Sequence, residues 1–269
     1  MTSHAPHYNP LVCAARFGPA SVVEDLLRRA LDPNVYADVS YYSGITPLMA
    51  AAIGDKVEIV DLLCSHGAVV ELCSSSGLTA LHLAAQSGSL NVFRQLLQKG
   101  ADLSRCSEYG ITPLIMAAQG GHETVIDFIL SNLTDINEPD GSGRTALMRL
   151  VQQDFGPTKG VPLLLSRKLA VDAEDHDGNT ALILNVMRDY PSSSYGGEDR
   201  SKVSQYLIDA GADVEHRNHS NQSALSYAVN NRIGSQVYRL IEAGATSLNS
   251  EENAAAQELY QRHGDYLIR

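Results

Sequence analysis

One phrase recurs through this sequence at a fixed interval: GITPLMAA at residues 44–51, GLTALHLAA at 77–85 and GITPLIMAA at 110–118. With the threonine of each copy as marker, Thr46, Thr79, Thr112, Thr145 and Thr180 follow one another at 33, 33, 33 and 35 residues. Ser223 stands in the same role 43 residues further on, and NPLVCAARFG at 9–18 opens the series with Asn9 in the marker position. Fixed self-similarity at this interval means a stack of small supersecondary units rather than one centred core. A chain of 269 residues is long for a single core, but a stack escapes that limit because each unit contacts only its neighbours.

Each unit reads physically as two short helices. In the second unit Thr46 caps a helix through its hydroxyl, and Pro47 suits the first helical position because no amide is needed there. Leu48 to Ile53 continue the helix until Gly54 and Asp55 break it. A second helix is predicted from Val57 to Ser65, with Ile59, Val60, Leu62 and Leu63 on one apolar face and Gly67 supplying the positive φ that ends it. Neither helix reaches the roughly 12 to 15 residues at which an isolated helix becomes marginal in water, so each leans on its neighbours. The first helices are alanine-rich (Ala50, Ala51, Ala52; Ala84, Ala85; Ala117, Ala118), which lets adjacent units approach closely on that side.

The ordered pattern G-x-T-[PA]-L-x-x-A-A, V-x-x-L-L, then G-A resembles the ankyrin repeat over residues 9–248, most fully in TALHLAAQSGSLNVFRQLLQKGAD at 79–102. The resemblance implies an all-α fold: an ankyrin-type solenoid of stacked helix-turn-helix units with connecting β-hairpin turns, about seven repeats in one domain over 1–269. The units run 5–38, 39–71, 72–104, 105–137, 138–172, 173–215 and 216–248, followed by a closing helix at 249–264 that begins with the capping-box pair Asn249 and Glu252. It also implies a concave face, lined by hairpin tips and first helices, that binds other proteins, and a structural hydrogen bond from His82 to the turn.

Departures from the pattern carry their own expectations. His7 replaces the turn glycine of the first unit, and Asn221 replaces that of the last, where Asn enters the left-handed region more easily than most residues. In the unit after Thr145, Pro157 and Pro162 are expected to shorten a helix. The extra residues of the longest unit fall in RDYPSSSYGGEDRSK, 188–202, read as a surface loop between two helices.

Composition excludes several function classes. The formal charge of −11 works against nucleic acid and anionic membranes and favours a partner with a basic patch. No apolar run approaches the roughly 18 to 20 residues of a membrane helix, so no membrane insertion is expected, and MTSHAPHYNP lacks the layout of an export signal. Cys13, Cys64, Cys73 and Cys106 form no CxxC pair. Cys73 and Cys106 share one register of successive units, too far apart for a disulfide; reduced thiols place the chain in the cytoplasm or the nucleus. The nine histidines lie singly, and no catalytic motif, metal motif or cofactor fingerprint is present.

What remains is the surface. Residues just before each turn glycine are the expected tips: Tyr41 and Tyr42, Glu108 and Tyr109, His176 and Asp177. Tyrosine buries a large area while keeping a polar handle, which suits an interface. Glu138, Asp140, Asp172, Glu174, Asp175 and Asp177 are expected to form an acidic stripe. Along the first helices the inward positions are Ala50, Ile53, Leu83, Gln86, Met116, Gln119, Arg149, Gln152, Tyr227 and Asn230. Partner contact is therefore expected at Tyr41, Tyr42, Tyr109, Met116, Gln119, Arg149, Gln152, Asp175, Asp177 and Tyr227, with no reaction and no cofactor. Two further readings stay open here: an enzyme or metal-dependent site in the irregular region 145–222, and an architectural spacer or oligomerisation module.

Overall fold

A computed structural model describes residues 9–39, 42–133, 135–153, 160–167, 169–188, 197–246 and 250–267. The chain folds as two compact units, Met1–Asp135 and Ile136–Arg269. The first contains α1 (Pro10–Phe17), α2 (Ala20–Arg28), the hairpin β1 (Ala37–Val39) and β2 (Tyr42–Ile45), α3 (Pro47–Ile53), α4 (Val57–Ser65), α5 (Ala80–Ser87), α6 (Leu90–Gln98), α7 (Pro113–Gly120) and α8 (Glu123–Asn132). The second contains α9 (Ala146–Val151), α10 (Gly160–Leu165), α11 (Ala181–Met187), α12 (Gly197–Asp209), α13 (Ala224–Asn230), α14 (Gly234–Glu242) and α15 (Ser250–Leu267). Among the described residues these are seven helix pairs and a terminal helix, the all-α repeat architecture that the period predicts.

The marker residues do the capping expected of them. Oδ1 of Asn9 accepts the amides of Leu11 and Val12, and the hydroxyls of Thr46, Thr112, Thr145, Thr180 and Ser223 each accept the amide three residues on, at 3.2–3.5 Å. Helices α3 and α4 have the bounds read from their sequence, and Gly67 follows α4 at φ 88°. Asn221 takes the left-handed conformation (φ 59°) where the neighbouring units use glycine. His7 and Pro157 lie outside the described residues; Pro162 sits in the first turn of α10, which has 6 residues against 9 in α4 and α6.

Within each unit the helices form two rows. In the first, α1, α3, α5 and α7 pack successively, and α2, α4, α6 and α8 form the row behind them, where Phe93 meets Phe128 edge-on at 6.0 Å. In the second, α9, α11 and α13 form one row and α10, α12 and α14 the other, with α15 laid on α13 and α14. In the first unit α3 and α5 are held by a neighbour on both sides and by their own partners behind, and α7 packs on α5 and α8; every residue from Pro47 to Ala52, Ala80 to Ala85 and Pro113 to Ala118 is buried. A fully buried Leu or Ile contributes about 1.5–3 kcal/mol, which is how helices of 7 or 8 residues persist.

The longest repeat departs from expectation. Residues 189–196 lie outside the described set, but 197–202 are not loop: they are the first turns of α12, a helix of 13 residues. The reason is Arg200, buried at 5 % exposure, whose guanidinium donates to the carbonyls of Val151 (3.0 Å) and Gln153 (2.9 Å) where α9 ends. Those carbonyls have no partner inside the helix, and a buried cation at a helix C-terminus satisfies both their hydrogen bonding and their partial charge. Asn185 anchors the same turn, donating to the Arg200 carbonyl (3.0 Å) and to Ser204 Oγ (2.9 Å), which in turn donates to Gln236 (2.7 Å). No helix of the described residues is long and apolar enough to cross a membrane.

Candidate functional site

The loops joining the helix pairs are held from below. At one register position Ser74, Ser107, Asp140, Asp175 and Asn218 are all buried, and each accepts the amides two and four residues on. A side chain that closes its own turn this way fixes the backbone and leaves the residues at the apex free. Successive apices are also joined backbone to backbone, Ser75 to Ser43 (3.1 Å), His176 to Ser142 (3.1 Å) and His219 to Asp177 (2.9 Å). Within each unit the result is a ledge of tied loops.

Histidines fasten neighbouring repeats below that ledge. His82 is fully buried, its Nδ1 accepting the Thr79 amide (3.2 Å) and its Nε2 lying 2.9 Å from the Ile111 carbonyl of the next repeat. An acceptor at Nδ1 and a donor at Nε2 define the neutral tautomer. Burial drives its pKa down to about 4, against the opposing pull of the Ile111 carbonyl. His216 reaches the Gly178 carbonyl (2.9 Å) in the same manner, while His122 reaches the Gln86 carbonyl (2.8 Å) at the opposite, C-terminal end of α5. The bond expected of His82 is thus present, and it spans two repeats.

In the second unit a continuous polar chain runs beneath the ledge. Arg149 pairs with Asp140, its Nε donating at 2.6 Å to Oδ2. Arg144 donates to Gln152 (3.4 Å) and to Asp175 Oδ2 (3.1 Å). Asn179 donates to both oxygens of Asp175, and Asn218 donates to Asn179 (2.8 Å) and to the Tyr227 hydroxyl (3.3 Å). Burial raises the cost of charging Asp175, yet the amide and side chain of Asn179 and the Arg144 guanidinium outweigh it and hold the carboxyl below the usual carboxylate range.

These contacts sort the residues expected to meet a partner. Tyr109 stands 62 % exposed at its apex, beside exposed Glu108, and Gln119 emerges half-buried from the last turn of α7. Asp177, His176 and Glu138 are exposed. Arg149, Gln152 and Tyr227 are half-buried members of the polar chain. Tyr41 lies outside the described residues, and Tyr42 is described only as the first residue of β2.

Three expectations are corrected. Met116 is 3 % exposed where α7 packs against α5 and α8, and Ala50 and Leu83 are buried in the same row in α3 and α5. Asp175 and Asp140 are 4 % and 5 % exposed because they close turns and pair with arginines. The acidic stripe is therefore interrupted, and Asp172 within it accepts the Asp213 amide (2.9 Å). Sequence reasoning missed Arg144, Asn179, Asn218 and Arg200. The turn-closing position was visible, since Ser74, Ser107, Asp140, Asp175 and Asn218 repeat at the same 33, 33, 35 and 43 intervals as the markers.

No group of three or more His, Cys, Asp or Glu side chains able to hold a metal ion occurs among the described residues. Residues 11–107 match the family model described as ankyrin repeats (3 copies), and residues 90–130 match the one described as ankyrin repeats (many copies). No curated protein matches the chain.

Proposed function

The chain belongs to the ankyrin repeat family, and from that premise we propose that it is a non-catalytic adaptor, scaffold or inhibitor that grips another protein with its loop apices and the open ends of its first helices. A general protein-interaction role is what this fold serves. The observation that carries the finer reading is the division of labour in each loop: a buried residue closes the turn while its neighbour at the apex stays exposed, as with Ser107 at 7 % and Tyr109 at 62 %. A large amphipathic side chain on a backbone already immobilised loses little entropy on docking.

In the first unit Tyr109 is the anchor, supported by Glu108 and Gln119, with Tyr41 and Tyr42 assigned to the same role two repeats earlier. In the second, Asp177 and Glu138 offer negative charge to a basic segment, while Arg149, Gln152 and Tyr227 supply pre-paired polar groups whose orientation is set by Asp140, Arg144 and Asn218. Asp175 acts here only through Arg144, and Met116 only through packing.

The test is a photo-crosslinking amino acid placed at position 109 in the full chain, with a second probe at the buried Ser107 as control. A partner trapped from position 109, lost with Glu138→Lys and Asp177→Lys and weakened by added salt, supports both halves. Equal trapping from both positions, or none from either, overturns the assignment of the apex.

A further inference from the structure

Hydrogen bonds have a direction, and in the second unit two buried carboxylates set it. Asp140 and Asp175, each with its side chain 1 % exposed and ion-paired, can only accept. Asp140 takes the Arg149 guanidinium, and Asp175 takes Nε of Arg144 and the side-chain amide of Asn179. Everything further out is then forced. Asn179 is left with its oxygen, which accepts from Asn218, and the same Asn218 nitrogen donates to the Tyr227 hydroxyl at 3.3 Å. That hydroxyl accepts on its inner side, so its proton is left to donate elsewhere. Gln152 turns its oxygen to Nη1 of Arg144, which leaves its amide hydrogens unspent.

The polar chain therefore ends in donors. Nη1 of Arg149, Nη2 of Arg144, the Gln152 amide nitrogen and the Tyr227 hydroxyl proton have no acceptor among the described residues, and all four side chains are half-buried. Arg149 and Tyr227 each stand four residues after their markers, Thr145 and Ser223; in the first unit that place is held by Ala50, Leu83 and Met116, all buried and apolar. An anion is not what this row calls for. Each guanidinium is already balanced by a buried carboxylate, and the loops that carry Asp140 and Asp175 add exposed Glu138 and Asp177.

A neutral acceptor satisfies such donors without that repulsion, and the most abundant one on a protein is the peptide carbonyl. A helix spends its carbonyls internally, whereas an extended strand turns every second one to the same side. Arg149 and Tyr227 lie two repeats apart, roughly 16–20 Å at the spacing of packed helices, a distance that about five or six extended residues span. We infer that the first-helix face of the second unit binds an extended, basic segment of a partner protein by its main chain: Arg149, Gln152 and Tyr227 donate to the carbonyls, while lysines or arginines of the segment meet Asp177 and Glu138. This rests on the protein-binding role proposed above and names the form of the segment that is bound.

The probe is a hexapeptide of alternating lysine and glycine, acetylated and amidated, whose only acceptors are main-chain carbonyls and which is too short to hold a helix. Titrated into the isotope-labelled full chain, it is expected to shift the side-chain nitrogen resonances of Arg149 and Gln152 saturably, with a Kd of about 1 mM. A lactam-bridged helical peptide of the same charge is expected to bind at least about tenfold more weakly, its carbonyls being spent. Arg149 itself is left in place, because removing it unpairs the buried Asp140. Gln152→Glu exchanges the amide donor for a carboxylate, and binding is expected to fall about tenfold even though the new charge attracts lysine. Tyr227→Phe, which leaves Asn218 bonded to Asn179, is expected to weaken binding about fivefold. No saturable shift up to about 10 mM, equal binding by the helical peptide, or undiminished binding by either variant overturns the proposal. The apex reading fails separately, since trapping at position 109 does not involve this peptide. A peptide held through Asp177 and Glu138 but indifferent to Gln152 and Tyr227 sinks only the inference about its main chain.

Discussion

Lowering the pH is expected to loosen the first unit through one side chain. His82 is neutral, buried and bonded at both ring nitrogens, so its pKa of about 4 in the folded chain lies below the 6.5 of an unfolded histidine. A group that binds its proton more tightly when unfolded contributes in full above pH 6.5; that stability falls as the pH drops toward 4, and the loss is complete below it. The gap corresponds to roughly 3 kcal/mol, lost at no more than about 1.4 kcal/mol per pH unit. Carboxylates do not blur this window. Asp102, lowered by its bonds to Ser104, and Asp61, lowered by its bond to Lys99, lose their contribution only as the pH falls below their ordinary 3.8. Two measurements check the reasoning. The imidazole carbon resonance of His82 is expected to titrate near pH 4. Urea unfolding of the full chain, followed on amides of residues 80–97, is expected to lose roughly 2 kcal/mol between pH 6.5 and 4.5 relative to His82→Gln, which starts lower but has no such slope. A midpoint near 6.5, or parallel curves for the two proteins, would refute the claim that His82 is held neutral by burial.

Three further outcomes follow from the contacts described. Arg200→Ala should strip two buried carbonyls of their donor at the end of α9 and cost about 2–4 kcal/mol, read as faster amide exchange in α9 and α12. Asp175→Ala leaves Arg144 without its carboxylate and opens the turn, at about 3–5 kcal/mol by chemical unfolding, whereas Asp177→Ala two residues on should change stability by less than about 0.5 kcal/mol. Asn221→Gly should be neutral or slightly stabilising, and Asn221→Ala should cost about 1 kcal/mol, because only the latter resists φ 59°; thermal unfolding distinguishes them.

The two rows of helices were legible in the residues because what builds each helix acts over three or four positions. Thr46 and Pro47 start α3, Gly54 and Asp55 stop it, Gly67 follows α4, and every such device reappears one period later. Local chemistry of this kind needs no knowledge of the neighbours, so the all-α stack, the bounds of α3 and α4 and the exposed apex at Tyr109 follow from the chain alone. Exposure along the first helices did not. Met116 and Gln119 lie in one helix, but only the packing of α5 against α7 buries the first and frees the second. Asp175 and Asp177 are equally acidic in the sequence. One turns inward to Arg144, which lies 31 positions away, and the other faces water. Arg200 sits in a segment that reads as loop until the ends of α9, 49 positions earlier, come into reach and make a helix there favourable. Short-range rules select the elements; which charges are spent on holding repeats together, and which stay free for a partner, depends on groups that only stacking brings within bonding distance.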